Sequence, residues 1–389
     1  MKRIHKKIIL SLLIGILIAI NGCWDAKEYE QLALIKGIGI SIADEEDRIK
    51  FSVQFARRED EEGASNTPQL AESMVTSSTG YTLFEANRNL INQLGLRPFY
   101  GHNEIIIIDE EIARREVNIY LDYFIRNKEI RGRTTVAFTR DDPEEILNKP
   151  HYMSNISATN IDNMLNGISV AGTIINSKLL NFKECLLNKY MDPAAAQLEL
   201  RPGGPEDSAS GDNLVFSSGG VIFKGDRLVD WLTRREARGY NWVHAPSNIR
   251  GPIVVNTEDQ EYSKKISIQV YRGSTKVKPS MENGIFQIDI EVKTEGFIIE
   301  KMDPEYELIV EKHIDQLEKR FAQVIENEIL STLAIGRANN ADILGLADTI
   351  YKKFPRELDK IESSWEEIYQ EIPVTIKVIS DIRRTGMLK

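Results

Sequence analysis

The chain has 389 residues, too many for one ordinary core, so two or three domains are expected. Its composition, 42% apolar and 28% charged, is that of a globular protein. Acidic residues outnumber Lys plus Arg by 59 to 49, so nucleic acid and anionic membranes repel the body as a whole, and binding through basic patches is not expected.

The first twenty residues read as an export signal. Lys2, Arg3, Lys6 and Lys7 make a positive start, and residues 8–20 are an apolar run. As a helix, 13 residues span roughly 20 Å at about 1.5 Å each. That is too short for about 30 Å of hydrocarbon, but it fits the apolar core of a signal peptide. The run ends at Ile20-Asn21-Gly22-Cys23. Small Gly22 suits a peptidase site, and a cysteine next to it is what bacterial lipoprotein processing requires. Residues 1–22 are therefore expected to be a lipoprotein signal and Cys23 the site of lipid attachment. Without the signal the chain holds 45 basic against 59 acidic residues. Two acyl chains would hold it at a membrane despite that charge.

Residues 35–43 and 49–56 pattern as strands, and the polar run 57–80 as an exposed loop. Thr82, with Glu85 three residues on, opens a helix to Leu94. Ile105 to Ile108 are four isoleucines in a row, a strand buried on both faces. A helix over 117–126, a strand over 134–139 and a helix from Asp142-Pro143 to Asn148 follow, with mostly helix from 160 to 190. Residues 201–212, R-P-G-G-P-E-D-S-A-S-G-D, read as a linker. Residues 220–232 read as a hairpin turning at Lys224-Gly225-Asp226. Strands are expected at 266–271 and 286–294, a long helix over 306–333, helices over 341–353 and 365–369, and a last strand over 374–382. The fold class expected is multi-domain α+β. The division is 23–200 as a mixed sheet with helices, 201–212 as linker, 213–265 as a small hairpin-containing unit, and 266–389 as an antiparallel sheet covered by long helices.

Catalytic chemistry finds little support. His102, His151, His244 and His313 lack metal-ligand spacing. Residues 167–171, Gly-Ile-Ser-Val-Ala, miss the second glycine of a nucleophile elbow. Gly37 and Gly39 lack the third glycine of a dinucleotide fingerprint. Cys185 remains as one thiol after Cys23 and reads as a small buried helix residue. Arg126, Glu129 and Arg131 read as an ion-paired connector. No cofactor, metal or catalytic residue is expected. Phe223 and Trp231, large side chains flanking a tight turn, are candidate partner anchors; the competing reading places both in the core.

The residues in order resemble the Ger(x)C family of spore germination lipoproteins. Cys23-Trp24-Asp25 is followed by Leu32, Ala33, Gly37, Gly39 and Ile40. The stretches Thr79-Gly80-Tyr81-Thr82, Glu85-Ala86 and Gly101-His102 through Ile108 resemble its central signature, as do Arg126, Glu129 and Arg131. Residues 218–224 with Leu228, Val229, Trp231 and Leu232 resemble its second-half hairpin, and residues 342–345, Tyr351, Pro355, Trp365 and 382–386 its C-terminal pattern. Asp230 and the run Arg114-Arg115-Glu116 depart from it. The resemblance implies the C subunit of a nutrient germinant receptor, lipid-anchored on the outer face of the spore inner membrane. It implies two integral membrane partners, the A and B subunits, a non-catalytic role and an α+β fold. Competing readings are a solute-binding lipoprotein feeding a transporter, which the antiparallel pattern after residue 260 opposes, and an envelope hydrolase, which lacks a complete motif.

Overall fold

The computed structural model describes residues 32–43, 47–56, 73–149, 155–166, 172–203, 213–256, 265–302 and 311–383, and His5. Cys23 and the rest of the leader, His151, residues 167–171, the linker residues 204–212 and residues 384–389 lie outside them. Two sheets organise the chain.

The larger sheet has nine strands: β1 Leu32–Ile42, β2 Ile49–Ala56, β3 Ser73–Gly80, β4 Arg97–Phe99, β5 Ile105–Asp109, β6 Thr135–Thr139, β7 Ala194–Pro202, β8 Asn213–Lys224 and β9 Arg227–Leu232. Their order is β3-β2-β1-β5-β6-β7-β8-β9, with β4 beside the start of β1. The central strands β1, β5, β6 and β7 are parallel, and antiparallel strands flank them on both sides. The isoleucine run of β5 is buried on both faces. Ile106 and Ile108 pack under helices α1 Leu83–Leu94, α2 Glu110–Arg114, α3 Val117–Arg126 and, further along the sheet, α6 Leu179–Leu187. Ile105 and Ile107 pack under α4 Pro143–Asn148 and α5 Ser157–Asn166. Gly37 permits that second layer, because a Cβ there would overlap Leu147 and Ala158.

The smaller sheet orders β10 Pro252–Asn256, β11 Lys265–Glu282, β12 Ile285–Lys301 and β13 Val374–Arg383. Its inner face, with Ile288, Ile290 and Val292, meets Leu317, Phe321, Ile325 and Ile329 of the long helix α8 Glu311–Ala338. Three short helices, α9 Leu346–Lys353, α10 Pro355–Ile361 and α11 Trp365–Glu371, close its end. Between the sheets lies α7 Arg234–His244. Its Ala237 and Trp242 share one core with Ile222 and Leu232 of the large sheet and with Ile268 and Phe321 of the small one.

The observed α+β architecture departs from the sequence reading in its sheets as follows. Residues 73–80 are an edge strand, not loop: Ser, Thr and Gly hide the alternation, yet the segment pairs with β2 over its whole length. The second sheet is not wholly antiparallel, because the crossover through α8 to α11 returns β13 parallel to β12. The segment 213–265 is not a unit by itself. Its hairpin extends the large sheet by pairing with β7, while β10 joins the small one. The linker composition concealed that pairing.

Candidate functional site at the junction of the two sheets

Helix α7 is built to be held on several sides. Thr233 caps it, with Glu236 closing a reciprocal capping box. Gly239 faces α8 with no side chain, and a Cβ there would overlap Thr332 Oγ1 and the carbonyl of Glu328. The two helices approach that closely because of it. Glu328, 2% exposed, accepts from Arg238 Nε with its two oxygens at 3.0 and 2.9 Å and from Trp242 Nε1 at 3.0 Å. On the other side Asn241 Nδ2 donates to the carbonyls of Gly172 and Ile174, at 2.7 and 2.9 Å.

Behind α7 a cleft of about 720 Å³ opens toward α6. Cys185, Asn181 and Asn188 line it from one side, Tyr240, Asn241 and His244 from the other. A cysteine and a histidine in one cleft invite comparison with a nucleophile and its base, and the electrostatics argue against it. Burial pushes the Cys185 thiol up to about 12, and Asp192, Asp348 and Asp342 oppose its ionisation further. His244 faces the cleft and is open to solvent; the protein packed around it lowers its pKa, and its Nε2 lies 3.0 Å from the Ile343 carbonyl. The thiol faces the Met191 carbonyl at 3.9 Å, and no hydrogen bond joins it to His244 among the described residues, so the two make no activated pair. In the chain from Trp24 onward, where Cys185 is the sole thiol, a disulfide reagent at pH 8 is expected to react on the order of a hundredfold slower than in urea. Equal rates in the two states would show an accessible, ionised sulfur.

Beyond the cleft, residues 188–192 fasten the halves again. Asp192 N donates to the Asp342 carbonyl at 3.1 Å, and Asp342 N to Asp192 Oδ2 at 2.8 Å. The Tyr190 and Tyr351 rings stack at 4.3 Å. Lys189 pairs with Glu362, and Lys224 with Glu366 at 3.2 Å. Asp342 is fully enclosed. Burial, opposed by hydrogen bonds from Ala347 N and Leu346 N, pushes its carboxyl up to about 7.

The two partner-anchor candidates fall elsewhere, and neither can act as an exposed anchor. Phe223 is fully buried, its ring 4.9 Å from Phe138 and 5.2 Å from Phe182. Trp231 is 8% exposed, donates from Nε1 to Glu110 at 3.0 Å, and lies beneath the Arg140 guanidinium. Strand alternation on a sheet covered by helices buries both. Sequence reasoning passed over α7 altogether; the capping box Thr233–Glu236 was its local signal. The Arg238–Glu328 pair, 90 residues apart, left none. Among the described residues no group of three or more His, Cys, Asp or Glu is placed to hold a metal ion, and no helix is long and apolar enough to cross a membrane.

Fold and junction together define an α+β protein of two sheets fastened through one helix. Residues 25–200 match the family described as "Spore germination protein N-terminal domain", and residues 218–386 match "Spore germination B3/ GerAC like, C-terminal". The chain belongs to this Ger(x)C family of spore germination proteins. It is 25% identical to spore germination protein KC of Bacillus subtilis, over 99% of this chain and 97% of that one. It is 24% identical to spore germination protein B3 of the same organism, over 93% of each. The crystal structure of the GerBC protein superposes with a TM-score of 0.57 at 19% identity, covering 91% of this chain and 99% of that one, and so shares the fold.

Proposed function

We propose that this protein is the lipid-anchored, non-catalytic subunit of a nutrient germinant receptor. It works by assembling with two integral membrane subunits, A and B, on the outer face of the spore inner membrane. The observation that carries this reading is the match of both halves, in order, to spore germination families. The junction supports a scaffold: the two sheets share one core and are tied by buried polar contacts, and the thiol in the cleft is electrostatically silenced. Binding energy would then come from surfaces offered to partners, not from a reacting site.

The test is genetic. Spores lacking the gene are expected to lose their response to one class of nutrient, yet to germinate when the receptor is bypassed. Cys23→Ala is expected to reproduce that loss and to release the protein from the membrane fraction, with mass spectrometry of the wild type showing acylated Cys23. Normal nutrient responses accompanied by loss of solute uptake or of a hydrolase activity would replace the receptor reading.

A further inference from the structure

We propose that the end of the large sheet where β1 begins is a membrane-facing surface that binds anionic lipid headgroups through Arg97, Arg126, Lys128, Arg131 and Arg133. Strand register brings these residues to one end. Leu32, the first residue of β1, pairs with Arg97 of β4. Gly37 of β1 pairs with Ile105 at the start of β5, which pairs with Thr135 at the start of β6. β4 therefore lies beside the entry of β1, and the segments entering β5 and β6 lie level with its middle, five residues further on. Glu129 ties them together, accepting from Tyr100 N at 3.2 Å and facing Arg97 at 3.6 Å.

The charge at this end runs against that of the whole chain. Among residues 123–134 there are four basic side chains and one acid, Glu129, and no acid occurs between Glu85 and Glu104. All five proposed residues are exposed. Arg126 pairs with Asp122, and Lys128, Arg131 and Arg133 make no ion pair among the described residues. At the opposite end, where β1 and β5 finish, five acids, Asp109, Glu110, Glu111, Asp141 and Asp142, line a second hollow with three bases, Lys50, Arg114 and Arg140. The net charge of −10 is thus unevenly spread, with acids in excess at that end. The basic end also presents apolar side chains. Leu180 is 47% exposed and its N–H donates to the carbonyl of Gly132, between Arg131 and Arg133, while Ile125 precedes Arg126 and is 39% exposed.

Basic side chains set among exposed apolar ones suit a lipid surface, where cations meet phosphates and apolar groups enter the headgroup boundary. Chain length argues for the same occupant and rests on the reading of Cys23. Leu32 is nine positions after Cys23, so the entry of β1 lies within about 30 Å of the lipid. An acidic face of an integral membrane protein is the alternative that the experiment separates.

The experiment uses the chain from Trp24 to Lys389, which retains every strand and helix described above and contains no Cys23. It is sedimented with vesicles of phosphatidylcholine, with or without phosphatidylglycerol. Binding is expected only to the anionic vesicles, and it is expected to weaken as salt shortens the screening length. The variant R126Q/K128Q/R131Q/R133Q is expected to bind on the order of a hundredfold more weakly, with an unchanged Tm because these side chains are exposed. R272Q/K276Q/K278Q, on the outer face of the small sheet, is expected to bind like wild type. Absence of wild-type binding to anionic vesicles, or equal binding by the fourfold variant, overturns the proposal. So does a fourfold variant that keeps vesicle binding and loses capture of the integral subunits, which would assign the surface to protein. Because this chain lacks Cys23, the outcome is independent of whether Cys23 carries lipid.

Discussion

Glu328→Ala is expected to destabilise the fold by about 3–5 kcal/mol, among the largest effects available from one side chain. The carboxylate is 2% exposed and is the shared acceptor for Arg238 and Trp242. Truncation leaves a guanidinium that is 17% exposed without its counter-charge, and an indole N–H without an acceptor inside the core joining the sheets. Breaking such a pair costs more than the pair itself contributes, because the orphaned charge bears the desolvation penalty. The double variant Arg238→Met with Glu328→Leu is therefore expected to be more stable than Glu328→Ala, although it still strands the Trp242 N–H. Urea unfolding of the three chains measures this. A loss below about 1 kcal/mol for Glu328→Ala would mean that water reaches the network.

What was legible in the sequence was local. The isoleucine run of β5 announced a strand covered on both sides, and helices on both faces cover it. Thr82 and Glu85 announced the start of α1: Glu85 N donates to Thr82 Oγ1 at 3.1 Å, and Tyr81 N to Glu85 Oε2 at 2.8 Å. Asp142 and Pro143 announced α4 in the same way, the Asp142 carboxylate accepting from Glu144 N. What was not legible depended on partners distant in the chain. The three alanines opening β7 favour a helix by propensity, and pairing with β6 and β8 overrides it. Phe223 and Trp231 flank a turn, which suggested exposure, but their strands lie beneath helices that end about 40 to 110 residues earlier. The candidate site was hidden for the same reason. Its facing walls include α6 and α7, and the polar ties that fasten α7 join residues 67 or more positions apart.

The difference in stability between wild type and Asp342→Asn is expected to fall as pH rises from about 4 to about 7, and to be flat above. The carboxyl of Asp342 has a folded pKa of about 7, pushed up first by burial and also by Asp192. An unfolded aspartate titrates near 3.9. Between those values the folded chain holds a proton that the unfolded chain has released, so each step up in pH favours unfolding. Across the window this is on the order of 3–4 kcal/mol, an upper range, since the bonds from Leu346 N and Ala347 N hold the ionised form. Asp109, pushed up to about 6 mainly by burial, acts in the same direction. His244, with its pKa lowered by the surrounding protein, acts oppositely, adding stability as pH rises through the ordinary histidine range. Both groups are present in wild type and variant, so they cancel in the difference while the single groups of interest do not couple. Urea unfolding of both chains at pH 5 and pH 8 is the measurement. A difference that stays constant between those values would mean that Asp342 is ionised throughout, with its backbone donors outweighing burial. A falling difference would place a proton, below neutral pH, on a residue that ties the two sheets together through Asp192.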